Sequence, residues 1–215
     1  MKVDLDLISA ISIIAPALVG AIFYSRLVDF AQKLFWFVIF IVIIELSAGI
    51  LSVLKLNNMF IFHIYTFGEV LFICLIYRSL MRSAVHRRMI LHGFVIFQTI
   101  SIINLLFFDE ITHFNSSQRY VEMLIIYTIL STFAIQATKE KFREPLSKDP
   151  AFILTIGFMV YFLGTLGLFI LADKMFTSGN DSYWILHGIF NISLNTVYTV
   201  VLLRARILPH DQFDE

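Results

Sequence analysis

The residues whose side chains could bind a ligand or take part in chemistry fall mainly on two short stretches of this sequence. In the first, His63, Thr66 and Glu69 follow one another at steps of three residues. On a helix this spacing places them along one side, over an arc of about 120°. An imidazole, a hydroxyl and a carboxyl on one face can bind a polar ligand or exchange protons. This stretch is therefore a candidate wall of a binding site.

The second stretch repeats the pattern with amide side chains. His187, Asn191 and Asn195 are spaced four residues apart, and Tyr198 follows. On a helix the four side chains form a stripe about 80° wide. Two interpretations fit this stripe. It could hold helices together by interhelical hydrogen bonds, or it could form one wall of a cavity.

The segments that carry these residues are too apolar for a water-soluble domain. Apolar residues make up 59% of the 215 residues and the mean hydropathy is +0.84, whereas soluble domains are about 45–50% apolar. A membrane-spanning helix needs about 20 mostly apolar residues. Seven segments meet this requirement: roughly 5–24, 34–56, 58–79, 89–108, 119–138, 151–172 and 183–203. We therefore predict an all-α membrane protein, a single seven-helix transmembrane domain over residues 1–215.

Lysine and arginine alternate between the two ends of these segments. The end with most of them carries Arg26, Lys33, Arg78, Arg82, Arg87, Arg88, Lys139, Lys141, Arg143, Lys148, Arg204 and Arg206. The opposite end carries Lys2, Lys55, Arg119 and Lys174. Because positive loops stay in the cytoplasm, this split predicts an N-terminus outside and a cytoplasmic C-terminus. Few residues follow Leu203, so we expect no soluble output domain.

Two carboxyls lie deep inside the predicted spans. Glu45 and Glu69 are each about 16 Å from the helix ends at 1.5 Å per residue. A charge at the bilayer centre costs about 2.5–3.5 kcal/mol, which makes a functional role the first hypothesis. Glu122 is closer to the outer end, where we expect it to reach water. Polar residues are concentrated in the outer half, which predicts a polar pocket that opens outward. The candidate ligand-binding residues are Glu45, His63, Thr66, Glu69, His187, Asn191 and Asn195.

Other polar and small residues are expected to pack helices together. Ser9, Ser12, Pro16 and Gly20 form one stripe of the first predicted helix, and Pro16 is expected to kink it. Gly157 and Gly164 share one face of the sixth. Small faces let helix backbones approach closely. Gln98 is expected to be structural.

Composition excludes several classes of protein. A formal net charge of zero argues against nucleic acid as a main partner. Because Cys74 is the one cysteine, an intramolecular disulfide and a cysteine cluster for metal are excluded. Residues 183–203 contain no lysine, which excludes a retinal Schiff base on the last helix. The lipid bilayer is the partner that composition does imply.

Three functions fit the predicted pocket. The first is a receptor-like sensor of a small ligand or ion, with a separate signalling partner in the cytoplasm or the membrane. The basic loop with Arg82, Arg87 and Arg88 could dock that partner. The second is a metal-dependent hydrolase using His63, His187 and a glutamate as metal ligands. The third is a proton-coupled transporter with Glu45 and Glu69 as the proton relay. The sequence leaves the cofactor and any metal undetermined.

One family resemblance covers most of the chain. The motifs that carry it are Asn57-Asn58, Ile64-Tyr65-Thr66, Glu69, His187, Asn191 and Asn195. With these motifs the sequence resembles a group of small, uncharacterised bacterial seven-transmembrane-helix proteins. The resemblance implies a multi-pass protein of the bacterial inner (plasma) membrane. It implies no particular activity or substrate.

Overall fold

Helices account for every long element of the described chain. The computed structural model describes residues 5–107, 116–140, 145–178 and 182–206. The α-helices of these residues are α1 (Leu5–Ser12), α2 (Ile14–Phe23), α3 (Asp29–Val53), α4 (Met59–Leu80), α5 (Ala84–Phe107), α6 (Ser116–Glu140), α7 (Pro150–Ser178) and α8 (Ser182–Arg204). Within these ranges seven helical spans, α1 and α2 together making the first, are long and apolar enough to cross a membrane. The predicted all-α fold with seven spans is confirmed. Lys2, Lys141 and Arg143, used above for orientation, lie outside the described residues.

The basic end of the bundle is more helical than the apolar runs alone predict. The helix α3 begins at Asp29, five residues before the predicted span. The Asp29 carboxylate pairs with the Lys33 ammonium one turn later, and the Gln32 side chain donates to the Leu27 carbonyl oxygen at 3.1 Å. A carboxylate in the first turn also complements the helix dipole. These local contacts extend the helix beyond its apolar part.

Pro16 interrupts the first span. Regular α-helix stops at Ser12 and resumes at Ile14. Proline has no N–H to donate to the carbonyl four residues earlier, and its ring crowds that carbonyl. The carbonyl concerned belongs to Ser12, so the break lies where the chemistry of Pro16 requires it. The interruption is one residue long, and Ile13 itself keeps right-handed helical dihedral angles (φ −68°, ψ −19°).

Glycines bring neighbouring helices into close contact. A Cβ atom built on Gly164 of α7 would lie 2.2 Å from Cζ of Phe190 on α8, and one on Gly157 would lie 2.7 Å from Val197. The predicted small-residue face of the sixth span therefore packs against the seventh. Gly20 of α2 makes an equally close contact with Phe35 of α3.

Aromatic side chains fill the centre of the bundle. Phe37 of α3, Phe158 of α7 and Tyr198 of α8 pack with ring centroids 5.8–6.4 Å apart. The hydroxyl groups of Tyr77 and Thr155 are hydrogen-bonded at 2.9 Å inside this core. Helices that span a membrane are surrounded by lipid, so close packing and interhelical hydrogen bonds hold such a bundle together in place of a water-driven hydrophobic effect.

Candidate functional site

An ion cluster joins α4 and α6 in the half of the bundle that contains the first turn of α4 and of α6. Nη1 of Arg119 lies 2.8 Å from Oε2 of Glu69 and 2.8 Å from Oε2 of Glu122. All three side chains are buried, with Arg119 only 4% exposed. Arg119 and Glu122 share one face of α6 at a spacing of three residues, which aims both at Glu69. The cluster satisfies the most costly charge of the third span with a cation from the fifth.

Tyr65 completes this cluster. Its hydroxyl donates to Oε1 of Glu69 at 2.7 Å, and its ring faces the Arg119 guanidinium at 5.2 Å from Cζ to the ring centroid. Both carboxylate oxygens of Glu69 are therefore hydrogen-bonded inside the cluster, one to Tyr65 and the other to Arg119.

A cavity of about 490 Å³ lies beside the cluster. Its polar lining combines side chains from α3, α4, α6, α7 and α8. These are Glu45, Tyr65, Arg119, Tyr161, His187, Asn191, Asn195 and Tyr198. Apolar side chains such as Ile44, Phe62 and Leu194 complete the wall. The cavity thus has apolar sides and a few polar groups, a composition typical of small-molecule sites.

The amide stripe of α8 both packs helices and lines this cavity. Nδ2 of Asn191 donates to Oγ of Ser9 at 3.0 Å, and Nδ2 of Asn195 donates to Oγ of Ser12 at 2.7 Å. Asn191 is also within hydrogen-bonding reach of Glu45. The two interpretations of the stripe are therefore compatible, because each asparagine anchors α1 while its residue borders the cavity.

The seven candidate ligand-binding residues divide into three groups. Glu45, His187, Asn191 and Asn195 line the cavity. Glu69 stands behind the wall and holds two of its lining residues, Tyr65 and Arg119, in place. His63 and Thr66 are buried on α4 and are not part of the lining.

The two buried residues of α4 have different surroundings. The Thr66 hydroxyl donates to the Phe62 carbonyl oxygen at 2.9 Å, a bond within its own helix. Neither ring nitrogen of His63 has a hydrogen-bond partner in the described part of the chain. Only Glu69 of this predicted set lies next to the cavity. Each step of three residues rotates the side chain by about 60° around the helix, so Thr66 and His63 lie progressively farther around α4 from Glu69.

Two expectations for the fifth span change with the structure. Glu122 was expected to reach water, but it is fully buried against Arg119. Arg119 is counted in the sequence among the cations at the outer ends of the spans, yet its side chain lies inside the bundle. The one signal in the sequence was indirect: a buried Glu69 demands a cation, and Arg119 with Glu122 forms a charged pair three residues apart, but neither fact identifies Arg119 as that cation.

The described residues do not form a set of metal ligands. Among those residues there is no group of three or more histidine, cysteine, aspartate or glutamate side chains close enough to hold a metal ion. His187 borders the cavity whereas His63 does not. The predicted pairing of these two histidines around one metal therefore has no geometric support.

Gln98 acts as expected of a structural residue. Its Nε2 donates to the Phe67 carbonyl oxygen at 3.1 Å, which ties α5 to α4.

Comparisons with known protein families, with curated proteins and with solved structures find no match to this chain. Its function must therefore be argued from the site itself.

Proposed function

We propose that this chain is a receptor-like membrane protein that binds a small amphipathic ligand between its helices. The single observation that carries the proposal is the cavity of about 490 Å³ beside the ion cluster. Sites for small molecules enclose about 300–1,000 Å³ and combine apolar walls with a few polar groups. A purely structural seam between helices would be filled instead, as protein interiors are close-packed.

The charges around the cavity favour a ligand with a protonated amine or another strong hydrogen-bond donor. Arg119 is already engaged by Glu69 and Glu122. Glu45 forms no salt bridge among the described residues, and Asn191 is its hydrogen-bonding neighbour. A carboxyl without a cation is the natural partner of an ammonium group. The apolar walls would then bind the hydrocarbon part of the same ligand.

The proposed orientation places this cavity toward the outside of a bacterial inner membrane. It lies in the half of the bundle that contains the N-terminus and the turn between α3 and α4. The positive loops lie at the opposite end, which supports a cytoplasmic location for that end. A ligand would then arrive from the periplasm, and a separate partner would carry the signal.

The Glu45→Gln variant tests the proposed ligand chemistry. Purified protein is titrated with a panel of alkylammonium compounds and with the alcohols of equal chain length, and binding is read from the thermal unfolding midpoint. We expect an ammonium compound to bind, and Glu45→Gln to weaken it by about tenfold or more, because a hydrogen bond to a charged group contributes about 1.5–3 kcal/mol. Binding of the matched alcohol should change little.

Thr196→Val is the matched control on the lipid side of α8. Thr196 is exposed, and its hydroxyl donates to the Ile192 carbonyl oxygen within the helix at 2.9 Å. This variant should bind the ammonium compound as well as the native chain does. If no ammonium compound binds, or if Glu45→Gln binds it unchanged, the proposed role of Glu45 is wrong.

Proton-coupled transport is the second candidate. The observation in its favour is the pair of carboxyls on one guanidinium beside the cavity. Carboxyls inside membrane spans are typical of proton relays. Accumulation of the bound compound in proteoliposomes, driven by an imposed pH gradient, would favour transport over sensing.

A further inference from the structure

A second recess lies at the basic end of the bundle, far from the proposed ligand cavity. It encloses about 620 Å³ between α3, α4 and α5. Its lining includes Lys33, Arg78, Arg87 and Arg88, with Asp29 as the one carboxylate. Asp29 pairs with Lys33. The three arginines form no salt bridge within the described ranges, so their charges face the recess uncompensated.

The apolar part of the recess lies directly on its membrane side. Leu75 precedes Arg78 by three residues on α4, and Leu91 follows Arg88 by three residues on α5. The two helices run in opposite directions, so each leucine lies about 4.5 Å nearer the bilayer centre than its arginine. The leucines are 37% and 42% exposed, which leaves both open to lipid.

This arrangement matches the shape of an anionic phospholipid. Arginine binds phosphate oxygens with two parallel hydrogen bonds, and the leucines below offer a surface for the first methylene groups of an acyl chain. Basic pockets between transmembrane helices bind acidic lipid headgroups in this way. Orientation alone explains why cations collect at this end, but it does not require three of them to line one recess above exposed leucines.

We propose that this recess, with Arg78, Arg87 and Arg88 above Leu75 and Leu91, is a binding site for the phosphate headgroup of an anionic phospholipid. The proposal is independent of the ligand cavity, because the two sites have no residue in common. A bound lipid would connect α3, α4 and α5 at the end where the chain meets the cytoplasmic leaflet in the predicted orientation.

The Arg87→Gln/Arg88→Gln variant tests the site. Delipidated protein in detergent is titrated with short-chain phosphatidylglycerol, and binding is followed by native mass spectrometry and by the unfolding midpoint. We expect the variant to bind about tenfold more weakly or worse, since each basic residue near a membrane surface contributes about a fivefold factor in affinity. Arg87→Lys/Arg88→Lys keeps the charges but loses the paired hydrogen bonds of the guanidinium groups, so it should bind more weakly than the native chain and more tightly than the glutamine variant.

Lys139→Gln/Lys148→Gln is the charge-matched control. Both lysines are exposed at the same end of the bundle and lie outside the recess. This control should bind phosphatidylglycerol like the native chain, and phosphatidylcholine should bind weakly to all variants. If Lys139→Gln/Lys148→Gln lost as much affinity for phosphatidylglycerol as Arg87→Gln/Arg88→Gln, only net charge would matter and the proposed site would be wrong.

Inorganic phosphate separates lipid from free anion. At the same concentration as the lipid, inorganic phosphate should raise the unfolding midpoint of the native chain far less, because it cannot contact the leucines. Equal protection by inorganic phosphate would overturn the lipid assignment. If the arginine-to-glutamine variant fails to fold, Leu75→Asn/Leu91→Asn replaces it, and unchanged lipid affinity in that variant would also contradict the proposal.

Discussion

Arg119 neutralises charge that would otherwise be costly within a span. Its guanidinium contacts Glu69 and Glu122, and the Tyr65 ring faces its other side. Desolvating three charged groups is expensive, and their mutual attraction offsets the cost only when the geometry is good. The cluster therefore ties α4 to α6 next to the cavity and keeps that wall in a fixed position.

The Arg119→Gln variant should unfold much more easily than the native chain. It leaves two buried carboxyls without their cation, and breaking a buried pair in this way costs about 3–5 kcal/mol. The measurement is the free energy of unfolding in detergent by denaturant titration. A triple variant, Glu69→Gln/Arg119→Gln/Glu122→Gln, has no uncompensated charge and should recover much of that loss. An Arg119→Gln variant as stable as the native chain would show that the cluster is not structural.

Arg119 also shows why the site was only partly predictable. Glu45, His187, Asn191 and Asn195 could be identified because polar residues inside an apolar run are conspicuous at helical spacing. Arg119 begins its predicted span, where a cation is normally solvated, so composition gave no reason to place it inside. Only the packing of α6 against α4 reveals the contact, and that packing depends on side-chain fit between segments 50 positions apart.

At the scale of elements, the pairing of α7 with α8 depends on small residues. Gly157 and Gly164 contact Val197 and Phe190 across the seam. Gly167 lies on the same helix, but nothing is within 4 Å of the position its Cβ would take. The three glycines therefore offer a comparison in which only the neighbour differs.

Gly164→Ala should destabilise the bundle, whereas Gly167→Ala should not. Either alanine gains up to about 1 kcal/mol in helix propensity. At 164 the added methyl group would also overlap the Phe190 ring, and overpacking of this kind costs about 1–3 kcal/mol, which outweighs that gain. At 167 the methyl group meets open space. Unfolding titrations of both variants in the same detergent provide the measurement. Equal midpoints for the two variants would contradict the close contact between the helices.

Element boundaries were predicted well where apolar runs set them and less well where polar contacts did. The α4 helix begins and ends within one residue of its predicted span. The α3 helix begins five residues early because Asp29, Lys33 and Gln32 make local contacts that hydropathy does not register. The break after Ser12 was foreseeable, since proline affects the backbone wherever it occurs.

At the scale of the whole molecule, the burial of Arg119 changes the count of cations on which the proposed orientation rests. It was one of four cations assigned to the outer end, and its side chain lies within the bundle. The other three cations that the sequence assigns to that end are Lys2, Lys55 and Lys174. Leaving Arg119 out changes the sequence count from twelve against four to twelve against three, and cations near span ends are the basis of the proposed orientation.

Reporter fusions test this orientation. A fluorescent protein fused after Arg206 should fluoresce, because the proposed orientation places that end in the cytoplasm. Alkaline phosphatase fused after Leu56, in the turn between α3 and α4, should be active, because that turn is predicted to face the periplasm. The opposite pattern for both reporters would reverse the orientation and place the ligand cavity on the cytoplasmic side.

The distance along the chain between Glu69 and Arg119 has a consequence for biogenesis. At about 5–20 residues per second, the ribosome needs roughly 3–10 seconds to add the 50 residues that separate them. During that interval Glu69 has been synthesised while the residue that carries its counter-ion has not. We therefore expect the third span to reach its final place only after the fifth has been made, and a nascent chain halted between them to carry an unmatched carboxyl.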